Sequence, residues 1–271
     1  MHPPTMTQTY TLSNIEQAVQ VGTRLVHSWF RGHSRKYDNL TPGVFRPARR
    51  TRLKERPERT YIEDFKRAAP ALVTNTPEWN DNLAWLFLAQ HHGLPTRLLD
   101  WTQNVLVALY FVTDQPKEDG ELWAMDPYAL NEKSEIVDRI ATANDTLVQY
   151  LADEAVYTPQ VMMERYMVVQ SYPIALLPPM TFPRIVSQLS AFTIHPPLHN
   201  HNSIPELLTL EIHLVRYIIP AERKVHLRQD LAKLGIMRRT LFQDLDSLSI
   251  SIIEEYDAPH RYAVSPPHWD E

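Results

Sequence analysis

Two stretches of the chain, residues 83–90 and 105–112, consist almost entirely of apolar side chains. Each is apolar nearly all the way round a helical wheel, a pattern that is typical of a buried helix. Gly93 closely follows the first stretch and is expected to end that helix. The pattern therefore predicts that the intervening polar segment, residues 91–100, is held rigidly between two buried helices, which suits a functional site.

The remaining patterns predict further strands and helices. Strands are predicted where short runs are apolar or rich in β-branched residues, at residues 27–32, 121–125, 185–194 and 208–219. Helices are predicted at residues 15–26 and 61–72, where apolar residues recur at helical spacing. Further helices are predicted over the polar segment 131–151 and at residues 156–166, 223–234 and 241–253, and Gly235 is expected to end the helix at 223–234. Because these elements follow one another without a regular βαβ rhythm, we predict a single α+β domain with mixed helices and a largely antiparallel sheet.

The composition restricts the chemistry of the chain. It contains no cysteine, which excludes disulfides, thiolate zinc sites and cysteine nucleophiles and fits a reducing compartment. No apolar run approaches the ~18 residues of a membrane span, and the first ten residues lack the pattern of a signal peptide. We therefore expect a soluble, cytoplasmic protein without a membrane partner. The sequence predicts no particular oligomeric state.

Positive charge is concentrated in residues 46–59, although the net charge of the whole chain is −5. This segment holds seven basic and two acidic residues, a local excess of five positive charges. One interpretation is a solvated loop or helix face. The other is a docking strip for the phosphates of a nucleic acid, for which the candidate contacts are Arg46, Arg49, Arg50 and Arg52.

Four segments combine aromatic, polar and glycine residues in unusual ways: Trp29 to Ser34, Gln90 to Trp101, Arg184 to His195, and Gly235 to Leu245. In this order they resemble the motifs of the FRG domain family, which is named after the Phe-Arg-Gly sequence found here at residues 30–32. The resemblance predicts an N-terminal helical segment at 1–28, an FRG domain at 29–252 and a C-terminal tail at 253–271. Ser190 and Gln243 replace a glycine and a proline that the family usually has, which affects local turns more than chemistry.

The resemblance also implies a function. The family occurs beside prokaryotic defence and toxin genes, and its Arg-Gly strand end resembles the first motif of ADP-ribosyltransferases. This implies an ADP-ribosyltransferase-like fold and an effector that uses NAD as a substrate in phage defence or in a toxin system. The acceptor would be a nucleic acid or a protein. The alternative is a non-catalytic or nucleolytic module that binds nucleic acid through the basic segment at residues 46–59.

Arg31 is the leading candidate for a functional residue, both for catalysis and for binding NAD. A guanidinium group clamps a phosphate or a carboxylate through two parallel hydrogen bonds. The adjacent Gly32 is a second candidate for cofactor binding, because a residue without a side chain lets a ligand approach the backbone. The alternative is a buried arginine that binds loop carbonyls.

The segment at residues 91–100 offers a base, a hydroxyl, a cation and a carboxylate within ten residues. Its candidates for cofactor binding are His91, Thr96, Arg97 and Asp100. Arg97 and Asp100 have alternative roles, because they are able to pair with each other and because Asp100 or Thr102 is expected to cap the following helix. We expect Arg31 and this segment to line one pocket. No metal site is predicted, since the adjacent His91 and His92 lack a third ligand at suitable spacing.

Gln188 and Glu211 complete the set of catalytic candidates. ADP-ribosyl transfer breaks the bond between nicotinamide and ribose through an oxocarbenium-like state, so it requires one group on a ribose hydroxyl and another to activate the acceptor. Gln188, which matches the late motif of the resembling family, is the candidate for the first role. Glu211 is the candidate for the second role, and its alternative is an exposed charge on a strand.

Overall fold

The structure is a computed structural model, and its described strands form one sheet. The structure describes residues 10–37, 40–46, 58–156, 161, 172–196, 204–208 and 212–257 of the chain. Within these ranges the strands are β1 (Tyr10–Thr11), β2 (Trp29–His33), β3 (Leu98–Thr102), β4 (Gly120–Met125), β5 (Ile174–Leu176), β6 (Ser190–Ile194) and β7 (Leu214–Ile219). Their order across the sheet is β1-β7-β4-β2-β3-β6-β5.

Helices pack on the sheet and connect its strands. In the first half of the chain they are α1 (Ile15–Arg24), α2 (Glu58–Ala68), α3 (Asn82–His91), α4 (Val105–Val112), α5 (Pro127–Glu132) and α6 (Thr146–Glu154). In the second half they are α7 (Pro183–Ser187), α8 (Ile204–Leu207), α9 (Ala221–Lys233), α10 (Arg238–Phe242) and α11 (Leu245–Asp257). None of these described helices combines the length and the apolar character of a membrane-crossing helix.

The sheet is largely antiparallel. Each pair of neighbouring strands runs antiparallel except β1 and β7, which run parallel over their two-residue contact. Helices and strands alternate irregularly along the chain. The predicted α+β fold with a largely antiparallel sheet is therefore confirmed.

The sheet is split between β2 and β3, although both strands are described along their whole length. These two strands are paired only at Phe30 and Thr102. On its other side β2 pairs with β4 at all five of its residues, and β3 pairs with β6 at all five of its own. The sheet thus consists of a four-stranded half and a three-stranded half joined at one position. The gap beside that position leaves room between the strands.

Two apolar clusters cover one face of the sheet, one on each half. Phe30 of the four-stranded half packs with α1, α4, α9 and α10, whereas Leu98 of the three-stranded half packs with α2, α3 and α6. Both clusters lie on the same face, because Phe30 is paired with Thr102 and side chains alternate along β3 from Thr102 to Leu98. The opposite face buries a third cluster that includes Trp29, Trp101 and Trp123.

Several predicted elements are confirmed because local signals define them. Helix α1 begins after Asn14, whose side chain accepts a hydrogen bond from the backbone N–H of Gln17 at 2.9 Å. Helix α3 ends before Gly93, and α9 ends before Gly235; both glycines adopt a φ of +80°, in the left-handed region that favours glycine. The strands predicted at residues 27–32 and 121–125 correspond to β2 and β4.

The predicted cap of the second buried helix is wrong. Asn104 caps α4, with its Oδ1 atom 2.9 Å from the backbone nitrogen of Leu106. Asp100 and Thr102 lie instead on β3, which pairs along its whole length with β6. Part of the predicted polar segment between the helices is therefore a strand. Hydrogen bonds to a distant strand determine its conformation, and no local pattern reveals them.

Two other predicted elements are divided by residues with positive φ. The strand predicted at residues 185–194 consists of α7 followed by β6, and Leu189 between them has a φ of +45°. The helix predicted at residues 241–253 is divided between α10 and α11 by Gln243, with a φ of +50°. The helix predicted at 131–151 appears only at its two ends, in α5 and α6. Of the strand predicted at 208–219, residues 214–219 form β7, and residues 209–211 lie outside the described residues. Most of the helix predicted at 156–166 lies outside the described residues.

Candidate functional site

A cavity of about 270 Å³ lies at the split in the sheet. Phe30 and Thr102, the one pair that joins the two halves, form part of its wall together with Phe111 of α4. The ends of α3 and α7 face it from the three-stranded half. Besides Thr102 and Ser190, the polar side chains that line it are those of Arg31, Gln90, His91, Asp100, Arg184 and Gln188.

Arg31 is anchored across the gap between β2 and β3. Its Nε atom donates a hydrogen bond to His33 Nε2 at 2.8 Å, and its Nη1 atom donates to the backbone oxygen of Asp100. Nη1 also lies 3.6 Å from the Asp100 carboxylate, and only 13% of the side chain is exposed. Burial lowers the pKa of Arg31 from its ordinary value, while the Asp100 charge acts to raise it. Among the described residues, no acceptor binds the Nη2 atom of Arg31.

His33 and Glu121 support Arg31 from the side away from the cavity. The His33 Nδ1 atom lies 2.8 Å from Glu121 Oε1, which also accepts the backbone N–H of Tyr37 at 3.0 Å. The other carboxylate oxygen of Glu121 forms an ion pair with Arg216 at 2.6 Å. Burial lowers the pKa of His33 to about 4, with a further contribution from the Arg31 charge. His33 is thus neutral at pH 7, and its Nε2 atom is able to accept the hydrogen bond from Arg31.

Asp100 is held at the cavity by a short chain of side chains. The Thr96 hydroxyl donates to Gln90 Oε1 at 2.8 Å, and this bond turns the Gln90 amide nitrogen towards Asp100. That nitrogen donates to Asp100 Oδ2 at 2.8 Å. The Asp100 side chain remains 54% exposed. Asp100 is the only carboxylate among the described residues that line the cavity.

The opposite wall is formed by His91, Arg184 and Gln188. The guanidinium of Arg184 lies 4.5 Å from the centre of the Phe242 ring, and burial lowers its pKa. His91 stacks on Phe182 with 4.9 Å between the ring centres, and burial lowers its pKa as well, with contributions from His92 and Arg184. Gln188 Nε2 donates to the Leu241 backbone oxygen at 3.0 Å. The lining therefore carries two guanidinium groups against one carboxylate, a balance that favours an anionic ligand.

Arg97 lies outside this cavity lining and serves the core. It is 3% exposed, and its guanidinium pairs with Glu58 at 2.8 Å and with Glu154 at 2.9 Å. The Nη1 atom of Arg97, which pairs with Glu154, also donates to the Leu151 backbone oxygen at 3.0 Å. Burial acts to lower the pKa of Arg97, but the Glu58 charge and hydrogen bond help to outweigh it, so the pKa is raised. The role in cofactor binding predicted for Arg97 has no support in this geometry.

Packing also accounts for Gly32. A Cβ atom at this position would lie 1.9 Å from the backbone oxygen of Ala108 in α4 and 2.9 Å from a methyl group of Val112. Helix α4 fills the space that a side chain would need. Approach of a ligand, the reason predicted from the sequence, is therefore not what requires a glycine here.

The structure brings together some of the predicted site residues and separates others. Arg31, Gly32, His91 and Asp100 line one cavity, as expected, and Gln188 lines it too, from the turn after α7 rather than from a strand. Thr96 is buried behind Gln90 and acts on the cavity only through it.

Other candidates cannot be placed at this site. Glu211, Arg49, Arg50 and Arg52 lie outside the described residues. Arg46 is described, and its Nε atom donates to the Thr41 backbone oxygen at 3.3 Å.

The sequence interpretation missed His33, Glu121 and Arg184. His33 has a local signal, because it stands two residues after Arg31 and the two side chains therefore share a face of β2. Glu121 and Arg184 have no such signal. Only the sheet register places Glu121 opposite His33.

Residues 26–121 match the family model of the FRG domain. The chain carries an FRG domain. The matched range contains the Phe-Arg-Gly sequence in β2, the end of α3 and all of β3, and it ends at Glu121. Arg184 and Gln188 of the cavity lie beyond it, and the wider domain predicted at 29–252 stays a prediction. No curated protein and no solved structure matches the chain significantly, so the predicted likeness to the ADP-ribosyltransferase fold also stays a prediction.

Two buried histidines of the protein should make its stability sensitive to mild acid. Burial lowers the pKa of His195 to about 3 and that of His33 to about 4, against 6.5 for an ordinary histidine. Below pH 6.5 the unfolded chain binds protons at both positions, whereas the folded chain does not until the pH approaches these lowered values. The free energy of unfolding should therefore fall by about 1.4 kcal/mol per pH unit for each histidine.

Urea unfolding measured between pH 6.5 and pH 5 tests this expectation. Carboxylates contribute little in that window because their pKa values are lower. The His195→Gln variant, which retains a hydrogen-bonding group near Thr193, should lose about 1.4 kcal/mol per pH unit of this dependence, the share of one histidine. An unchanged slope in this variant would contradict the assignment to His195.

Proposed function

We propose that the protein binds NAD at the split in its sheet and transfers the ADP-ribose group to an acceptor. The observation that carries the proposal is the state of Arg31. Its guanidinium is mostly buried and anchored through Nε and Nη1, yet Nη2 meets no acceptor among the described residues. Nη2 is not one of the buried polar atoms that lack a partner, so it is accessible where Arg31 lines the cavity. A bound anion would accept a charge-assisted hydrogen bond from it, which contributes about 1.5–3 kcal/mol, and the pyrophosphate of NAD offers suitable oxygens.

The size of the cavity limits which part of NAD it holds. Its volume of about 270 Å³ lies just below the ~300–1,000 Å³ of most small-molecule sites. We therefore place the pyrophosphate and the adjoining ribose in the cavity and the remainder of NAD along its mouth. Arg31 and Arg184 supply positive charge, while the apolar wall at Phe30 and Phe111 excludes water.

The transfer reaction assigns roles to Asp100 and Gln188. The bond between nicotinamide and ribose breaks with its electron pair leaving on nicotinamide, and positive charge develops on the ribose. The Asp100 carboxylate stabilises this charge. Gln188 uses its amide nitrogen to bind Leu241, which leaves the amide oxygen to accept a ribose hydroxyl. Neutral nicotinamide leaves, and the acceptor, a group of a protein or a nucleic acid, then bonds to the anomeric carbon and releases its proton to solvent.

Replacement of Arg31 tests the proposal. Arg31→Ala should raise the dissociation constant for NAD about 10- to 100-fold, because a hydrogen bond to a charged group contributes about 1.5–3 kcal/mol. Arg31→Lys retains the charge but not the planar guanidinium, so its dissociation constant for NAD should lie between those of the wild type and Arg31→Ala. Calorimetry gives the binding constants, and labelled NAD incubated with cell lysate shows transfer. Growth of an expressing host, slowed by the wild type and not by Arg31→Ala, would support the effector role in phage defence or in a toxin system.

Arg35→Ala is the matched control for these variants. Arg35 is exposed four residues further along, where it contacts the Tyr37 hydroxyl at 3.2 Å, and it does not line the cavity. Its removal should leave NAD binding unchanged. The proposal fails if the folded wild-type protein neither binds NAD nor transfers its label. It also fails if Arg31→Ala and Arg35→Ala weaken binding equally.

A further inference from the structure

A line of polar side chains crosses three strands behind the cavity. Arg31 and His33 share one face of β2, and Glu121 stands directly opposite His33 on β4. Arg216 on β7 completes the line through its ion pair with Glu121. The sheet register thus connects a residue of the cavity wall to a carboxylate that is 0% exposed.

The contacts of Glu121 determine which nitrogen of His33 carries the proton. Burial acts to raise the pKa of Glu121, but hydrogen bonds, that of His33 first, and the Arg216 charge outweigh it, so the pKa is lowered. The ionised carboxylate accepts from His33 Nδ1, which therefore holds the proton. The Nε2 lone pair of the neutral ring is left to accept from Arg31 Nε at 2.8 Å.

We propose that Glu121 and His33 are positioning residues, which hold the Arg31 guanidinium in the orientation that binds its anionic ligand. The identity of that ligand as NAD rests on the proposed function. An arginine side chain is flexible, and a guanidinium that is already fixed loses less freedom when a ligand binds. Anchoring through Nε leaves the Nη2 end for the ligand. A lysine at position 31 has a single nitrogen, so the atom anchored to His33 would also have to bind the ligand.

Stability alone is a weak explanation for this arrangement. Burying charged and polar groups costs desolvation, and well-packed apolar residues often stabilise a core equally well. Buried polar contacts of this kind are typical of binding sites, where they fix the orientation of the side chains that contact the ligand. The hydrogen bonds extend from Glu121 through His33 to the Arg31 guanidinium, which spans the gap between β2 and β3.

Two variants of His33 separate positioning from packing. The amide of His33→Gln reaches the region of Nε2 and is able to accept from Arg31. The shorter amide of His33→Asn reaches only the region of Nδ1 and is able to donate to Glu121. His33→Asn should weaken NAD binding about tenfold, the effect of one hydrogen bond to a charged group, while His33→Gln stays within about threefold of the wild type. If His33 has a purely structural role, each variant should weaken NAD binding only as far as it lowers the thermal stability, and two equally stable variants should bind NAD equally.

A second measurement does not depend on NAD. In nitrogen-15 NMR spectra of the ligand-free protein, His33 should appear as the neutral ring protonated at Nδ1. The Arg31 Nε–H should give a resonance protected from exchange, which His33→Gln retains and His33→Asn loses. If the wild type binds no NAD but shows these signals, the proposed function fails while positioning stands. Equal NAD affinity in the two variants, or an unprotected Arg31 Nε–H in the wild type, overturns the positioning role.

Discussion

Gly32→Ala is expected to lower the free energy of unfolding by more than about 3 kcal/mol, above the usual cost of an overpacked core. The added methyl group would lie 1.9 Å from the backbone oxygen of Ala108, far inside van der Waals contact. Neither side can move cheaply, because Gly32 is paired with Leu122 in the sheet and Ala108 lies within α4. A stability of about 5–15 kcal/mol is typical of folded domains, so this change removes a large part of it.

Gly43→Ala is the matched control. A Cβ atom at Gly43 would meet Pro95 at 3.5 Å, an ordinary van der Waals distance, and its φ is not positive. The free energy of unfolding of Gly43→Ala should stay within about 1 kcal/mol of the wild-type value. A small increase is expected, because alanine restricts the unfolded chain more than glycine does. Chemical unfolding of both variants measures the difference. Equal stabilities would show that the contact between β2 and α4 does not require a glycine.

Arg97→Ala is expected to lower the free energy of unfolding by about 3–5 kcal/mol. The substitution leaves Glu58, which is 7% exposed, without the cation that it meets at 2.8 Å. An unpaired buried carboxylate must be protonated or must draw water into the core, and either response costs stability. Because Arg97 links α2 and α6 to the start of β3, the melting temperature of the protein should fall as well.

The double variant Arg97→Met with Glu58→Leu distinguishes a structural role from a binding role. It removes both buried charges and fills the space with apolar atoms, so most of the stability lost in Arg97→Ala should return. NAD affinity should then equal that of the wild type, since Arg97 does not line the cavity. A double variant that folds well but has lost NAD affinity would restore Arg97 to the binding site.

Local patterns were sufficient for the elements that local interactions define. The apolar helices α3 and α4, the Asn14 cap and the glycine after α9 depend on residues within one or two turns of each other. Such contacts leave a readable period or cap in the sequence. The prominence of Arg31 also came from the sequence, through the aromatic residues before it and through the family motif.

Tertiary structure decided what depends on distant pairing. The segment 98–102 became a strand because β6 pairs with it, and the split beside Phe30 and Thr102 created the cavity. Of the polar residues between α3 and α4, Asp100 turned to the cavity, whereas Arg97 turned to Glu58 in the core. Glu121 met His33 across 88 residues of chain. The sequence determined which chemical groups are present and which helices are buried. Strand register decided which groups meet, because hydrogen bonds between distant strands leave no periodic trace in the segments that they join.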